Sequence, residues 1–173
     1  MNKQRGFSLI ELLIVLAIIL IIAAMSIPGF LRARISANES SAVSVARQIN
    51  TAGGTYASSW GSGLRSGLGK SWLPCLGTAA TACLLDPLLS TGTFTKSGYT
   101  FNAAGTLLVG TVYNGFEVAA WPNTVQTTGV RGFCDDQTGV LKFVSPSPAT
   151  MPVAPGSCAG VVTAPGVSGP VGN

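Results

Sequence analysis

One carboxylate stands inside the most apolar stretch of the chain. From Phe7 to Ile27 the apolar run is interrupted by Ser8, Glu11 and Ser26, and from Leu12 to Met25 no side chain is polar. An ionised carboxylate inside a membrane-spanning helix costs on the order of 2.5 kcal/mol or more, less toward the interface, so it needs a partner or a function. No Lys, Arg or His lies between Glu11 and Arg32, so the neutralising cation must come from elsewhere. A chain cut just before Phe7 would supply an α-amino group, with an unperturbed pKa of about 8, four residues from Glu11.

The remaining chemistry-bearing residues are few. The 173 residues contain no histidine, which removes imidazole bases, Ser–His and Cys–His nucleophile pairs and mixed Cys/His zinc sites. The other acids, Glu39, Asp86, Glu117, Asp135 and Asp136, are scattered along the chain. An enzyme would need some of them, such as Asp86 and Glu117, to converge in a pocket. Asp135 and Asp136 lack the spaced set of further oxygen ligands that calcium takes and read as turn-forming aspartates, so no metal is expected. Gly69-Lys70-Ser71 ends like a phosphate-binding loop, but Leu64 stands where that pattern needs its first glycine. No cofactor is implied. Ten Lys/Arg against six Asp/Glu give a net charge of +4, spread without the basic stripe of a nucleic-acid binder.

Four cysteines, Cys75, Cys83, Cys134 and Cys158, are not in CxxC spacing, and a zinc site would need all four. Two disulfides are expected instead, in any of three connectivities, with sequence proximity favouring Cys75–Cys83 and Cys134–Cys158. Disulfides belong to an oxidising compartment.

The elements that hold these residues follow from periodicity. Apolar residues make up 47% of the chain and charged ones 9%, with a mean hydropathy of +0.47, against roughly 25% charged in soluble domains. The excess is local, since seven of the nine isoleucines precede residue 28. The 21 residues from Phe7 to Ile27 form roughly 30 Å of helix, enough to cross a bilayer's hydrocarbon core. A secretory signal peptide also begins with a short basic stretch. This run is longer, contains an acid and ends at Ser26-Ile27-Pro28-Gly29-Phe30 without a small-x-small cleavage site. Lys3 and Arg5 before it balance Arg32 and Arg34 after it. The cysteines therefore decide orientation: head outside, leader in the cytoplasm.

Pro28-Gly29 is expected to bend or loosen the helix. Leu31, Ile35, Ala42, Ala46 and Ile49 then continue it as an amphipathic half, with Arg32, Asn38, Glu39, Ser40, Arg47 and Gln48 on other faces, to a stop at Gly53-Gly54. Phe7 to Ala52 would be about 69 Å long. Residues 54–96 read as a connecting loop with one short helix at Thr81 to Leu85. Strands are predicted at Tyr99–Ala103, Leu107–Tyr113, Phe116–Trp121, Arg131–Asp135 and Val140–Val144, with turns at Asn114-Gly115 and Asp136–Gly139. Trp60, Trp72, Trp121 and the sheet's Phe and Tyr residues are expected to be core or interface anchors. Ser145–Asn173, rich in Pro and Gly and without charge, is expected to be irregular with a mobile tip. The fold class is α+β: a long amino-terminal helix, membrane-spanning in its first half, packed on a four- or five-stranded antiparallel sheet.

The string GFSLIELLIVLAIILIIAAMSIPGF, Gly6 to Phe30, closely resembles the amino terminus of type IV prepilins and of type II secretion pseudopilins. Basic leader, Gly-Phe junction, acid five positions into the mature chain, apolar run and following proline all agree, over roughly the first 50 residues. The resemblance implies cleavage between Gly6 and Phe7 by a prepilin peptidase, N-methylation of Phe7, and Glu11 meeting the amino group of an adjoining subunit during assembly. It also implies a pilin-like α/β roll and a carboxy-terminal disulfide loop like that which Cys134–Cys158 would close. The organisation is then a leader (1–6), a transmembrane and filament-core helix (7–30), an amphipathic helix half (31–53), a globular head (54–144) and a tail (145–173).

The expected partners are copies of the chain or related pilins, the prepilin peptidase, the inner-membrane assembly machinery and the lipid bilayer, with no nucleic acid. The precursor would sit in the bacterial inner membrane, head in the periplasm, and pass into a pilus or a periplasmic pseudopilus. The function expected is a structural pilin, not an enzyme. A secretion pseudopilin is the alternative, and a membrane-anchored binding domain or enzyme fits less well. Losing Lys3 and Arg5 lowers the charge from +4 to +2, which suits close packing of like copies.

Overall fold

A computed structural model of the chain describes residues 6–60, 64–65, 84–85, 89, 93–110, 112–151, 157–160 and 168–171. Cys75, Cys83, Trp72, Asp86 and the Gly69-Lys70-Ser71 triplet lie outside the described residues, as does the side chain of Trp60. The chain divides into two compact units, Met1–Arg34 and Ile35–Asn173. One helix, α1 (Leu9–Trp60), contributes to both.

In the first unit α1 is helical through Pro28, so the proline does not break it. Almost every large apolar side chain is exposed there, from Phe7 at 79% to Phe30 at 68%. The helix is long and apolar enough to cross a membrane. Such a face is stable only where lipid or other helices cover it.

The second unit is a helix on a sheet. The strands are β1 (Leu64–Arg65), β2 (Thr93–Lys96), β3 (Tyr99–Val109), β4 (Val112–Pro122), β5 (Gly132–Asp136), β6 (Lys142–Val144) and β7 (Ser168–Pro170). All pair antiparallel, six of them in the order β2-β3-β4-β5-β6-β7, with β1 joined to β4. The α+β class holds, with more strands than the four or five expected.

Alternation along the strands separates two apolar layers. Tyr99, Phe101, Phe116, Val118, Ala120 and Phe133 pack with Ala42, Val45, Ala46, Ile49, Ala52 and Tyr56 of α1. Each large side chain buried this way contributes roughly 1.5–3 kcal/mol. The Phe94 and Phe101 rings stack at 4.8 Å. On the opposite face Ala119, Cys134, Met151 and Cys158 form a small cluster with Trp121 and Val144 against it. Ala42, Ala46 and Ile49 are buried as expected, while Leu31 is half exposed.

Four boundaries differ from the expectations. The helix does not stop at Gly53-Gly54 but runs to Trp60. A Cβ on Gly53 would lie 2.7 Å from the Phe116 ring, so this glycine admits the sheet instead of ending the helix. Asn114-Gly115 is not a turn. It lies inside β4, with Gly115 opposite Thr106, and the chain reverses between β3 and β4 after Val109, where Gly110 has φ of 65°. The expected strand Leu107–Tyr113 is thereby split, and long cross-strand pairing overrides the local turn signal. A further turn at Ser97-Gly98, both with positive φ, joins β2 to β3. The predicted turn after Asp136 is present: Gly139 donates its backbone N–H to the Asp136 carbonyl at 3.0 Å.

The tail is more regular than its composition suggests. Ser157–Gly160 forms a helical turn, α2, and β7 adds to the sheet beside β6. β7 is an edge strand, a position that tolerates Pro170. Within the expected helix at Thr81 to Leu85, residues 81–83 lie outside the description, and Leu84 and Leu85 are not helical.

Candidate functional site

The residues singled out in the amino-terminal stretch lie in the first unit and are open to their surroundings. Gly6 has nothing within 4 Å of where a Cβ would stand, and Phe7 and Ser8 are exposed and precede the helix. Ser8 accepts the first helical bond through its carbonyl, from Leu12 N–H at 3.3 Å. Glu11 Oε2 in turn accepts the Ser8 backbone N–H at 2.9 Å. This is the returning half of a capping box, Ser at the cap and Glu three residues on, which satisfies a donor that the helix would leave open. A negative group in the first turn also complements the helix dipole. The Ser-x-x-Glu spacing is plain in the sequence, yet the expectation for Glu11 concerned only a cation. The capping bond holds the carboxylate beside the backbone nitrogen next to Phe7.

The acids of the head are placed differently. Glu39, expected on a polar face of the helix, is buried. Its Oε1 accepts backbone N–H bonds from Val130 at 2.9 Å and Arg131 at 3.1 Å, and its Oε2 accepts Arg131 Nε at 2.8 Å. The Arg131 guanidinium closes the pair at 2.7 Å. Asn38 beside it donates to the Thr128 carbonyl at 2.8 Å. Together these bonds staple α1 to the segment between β4 and β5. Tyr99 joins the staple by donating its hydroxyl to the Arg131 carbonyl at 2.8 Å. Burial, and then the Glu39 charge, push the Tyr99 hydroxyl well above the usual tyrosine range.

Asp135 and Asp136 are successive on β5 and so face opposite sides of the sheet. Asp135 points toward α1 and is 1% exposed. Burial, reinforced by the Asp136 charge, raises its carboxyl to about 6, against the Asp136 N–H, the Asn50 amide and Arg47, which favour the charged form. Asp136 lies on the other face, opposite Glu117 in the ladder. It caps the following turn by accepting Thr138 N–H at 2.8 Å and faces Lys142 Nζ at 3.8 Å. Two acids on opposite faces cannot share one ion, and among the described residues no group of three His, Cys, Asp or Glu side chains could hold a metal.

Glu117 is also buried on that far face. Its Oε2 accepts the Ser157 hydroxyl and, at 3.4 Å, the Cys158 backbone N–H, so it caps α2 next to the disulfide. Cys134 and Cys158 are bonded, Sγ to Sγ 2.04 Å, which ties α2 to β5. The expected Cys75–Cys83 bond lies outside the described residues.

An open groove of about 830 Å³ runs along α1 beside Leu84, Leu85, Leu89 and Val171. Glu39 is the carboxylate in its described lining, and that group is already held by Arg131. The described acids of the head are therefore all engaged within the fold, Glu39 and Glu117 by joining separate elements. The amino-terminal segment keeps one acid exposed on an apolar helix.

The long amino-terminal apolar helix and the disulfide-tied antiparallel sheet packed on the later part of α1 make an α+β, pilin-like fold. Residues 1–27 match the family model described as the prokaryotic N-terminal methylation motif. A stretch of 39 residues is 59% identical to the type IV wide pilus major component PilA4 of Thermus thermophilus, covering 22% of this chain and 30% of that relative. No solved structure matches the chain. The likeness to type IV pilins is confined to this amino-terminal segment, and the chain spans less than a third of the length of the relative it matches.

Proposed function

We propose that the chain is the structural subunit of a type IV pilus-like filament, made as a membrane-embedded prepilin. A prepilin peptidase cuts it between Gly6 and Phe7, Phe7 is N-methylated, and the mature chain is packed helix to helix with copies of itself. The observation that carries this reading is the pairing of a methylation motif over residues 1–27 with an apolar helix exposed along its length. Lipid covers that face before assembly and neighbouring helices cover it afterwards. The peptidase acts on this chain, and the chain itself is not a catalyst.

Glu11 sets the register. In the precursor its carboxylate holds the Ser8 N–H, one residue from the amino group that cleavage would create. In the filament the ammonium of an incoming subunit replaces that neutral donor. A charge-assisted bond in a low-dielectric setting is roughly twice as strong as a neutral one. The pilus is favoured over a secretion pseudopilus by the disulfide between residues 24 apart at the carboxy-terminal side and by the pilus component among its relatives. Leader and head lie on opposite sides of the inner membrane, the leader in the cytoplasm and the disulfide-bonded head in the periplasm.

Glu11→Ala tests the reading. The variant is expected to insert and be processed normally and to yield few or no filaments by electron microscopy of sheared material. Normal filament numbers would remove the role given to Glu11.

A further inference from the structure

The first unit carries charge at one more place, the far end of its apolar run. Arg32 and Arg34 are both exposed, directly after exposed Phe30 and Leu31. Neither is in an ion pair among the described residues, where the pairs are Arg131–Glu39 and Lys142–Asp136. No acid lies between Glu11 and Glu39. Two residues apart on a helix is about 200° of rotation, so the guanidinium groups leave the axis on opposite sides. A partner protein would touch one side. A girdle of positive charge fits a surface that surrounds the helix.

The spacing fits as well. Arg32 lies 21 positions after Glu11, which is about 32 Å of helix against a hydrocarbon core of about 30 Å. Arginine heads extend toward the interface while their stems stay in apolar surroundings. With Arg32 and Arg34 among the headgroups of one leaflet, Glu11 lies at the edge of the other, where a carboxylate can be hydrated and its cost falls. Phe7, four positions further out, then clears the hydrocarbon.

We propose that Arg32 and Arg34 bind the phosphates of anionic phospholipid headgroups in the leaflet on the head side, and so fix the depth at which Glu11 and the Gly6–Phe7 bond sit on the other side. This rests on the reading of the apolar run as membrane-spanning, and it concerns the precursor before assembly.

The test uses the full uncleaved chain in lipid vesicles, with Ile27→Trp as a depth reporter quenched by lipids brominated at different positions along their tails. Signal is read against the same chain without the reporter. In vesicles of phosphatidylcholine with one-third phosphatidylglycerol, Arg32→Gln with Arg34→Gln should move the reporter toward the bilayer centre by about one helical turn, ~5 Å. Arg32→Lys with Arg34→Lys should keep its depth. The wild-type reporter should sit shallower in the anionic vesicles than in phosphatidylcholine alone. An unchanged depth in the glutamine variant, or a wild-type depth indifferent to lipid charge, would overturn the proposal. Loss of filaments in the glutamine variant without any change of depth would assign the arginines to a protein neighbour and overturn it too. Depth is read without cleavage, so this result is separate from whether the chain is processed as a pilin.

Discussion

The two units treat their carboxylates in opposite ways. In Met1–Arg34 the single acid, Glu11, is exposed on an apolar helix and bound by one neutral backbone donor. In Ile35–Asn173 the four described acids are buried and held by the fold: Glu39 and Glu117 bond to segments distant in sequence, and Asp135 and Asp136 bond within β5 and the turn that follows it. A carboxylate available to another molecule and a carboxylate consumed by the fold differ in their partners, not in residue type. Counting acids or locating them in the sequence therefore says little about function. Burial and satisfaction separate Glu11 from Glu39, although both stand on the same helix.

That contrast can be broken by experiment. The largest effect on the head is expected from its covalent tie. Cys134→Ser with Cys158→Ser releases a closure between residues 24 apart, at a cost of about 3.5 kcal/mol on the chain-entropy relation. Thermal unfolding in detergent should show a large fall in Tm, with processing of the amino terminus unaffected. Glu39→Ala comes next. It strands two backbone N–H groups and unpairs Arg131, which is 43% exposed and recovers part of its solvation, leaving a net loss of about 3 kcal/mol. Chemical denaturation measures it, and a variant as stable as wild type would contradict the staple.

Asp135→Asn should act in the other direction. The folded-state carboxyl is raised from the ordinary 3.8 to about 6, so between these values the native state holds more protons than the unfolded one. Stability from this group is full below about pH 4 and falls as pH rises toward 6. The asparagine variant should be more stable than wild type at pH 7.5, by about 2 kcal/mol. The advantage should vanish near pH 4. Unfolding curves at the two pH values check the sign. An equal difference at both would place the effect in packing instead of ionisation.

The amino-terminal segment was legible because everything that defines it is local. The apolar run, the single acid and the Gly6-Phe7 junction lie within about thirty residues and face outward, so no tertiary contact overrides them. The head was legible as a class and not in its details. Asn114-Gly115 carries a strong turn signal, yet it lies inside β4, where Gly115 pairs with Thr106, a neighbour outside the turn's own four residues. Gly53 looked like a helix stop because the Phe116 ring that requires it lies 63 positions later (116 − 53). Glu39 was set on a polar face for the same reason, its partners being 91 and 92 positions away. Cys134–Cys158 is within reach of the sequence because Cys134 bonds the cysteine nearest to it along the chain. The strand in the tail was missed because Pro170 and Gly169 disfavour a central strand but not an edge.

On the function proposed above, the exposed apolar segment is a prepilin amino terminus and Glu11 is kept for the amine created there. Mass spectrometry of the amino-terminal peptide from chain recovered from its native membrane tests this most directly. The expected peptide begins at Phe7 and is one methyl group heavier than the unmodified sequence. A peptide still carrying Met1, or one beginning after Ser26, would contradict it.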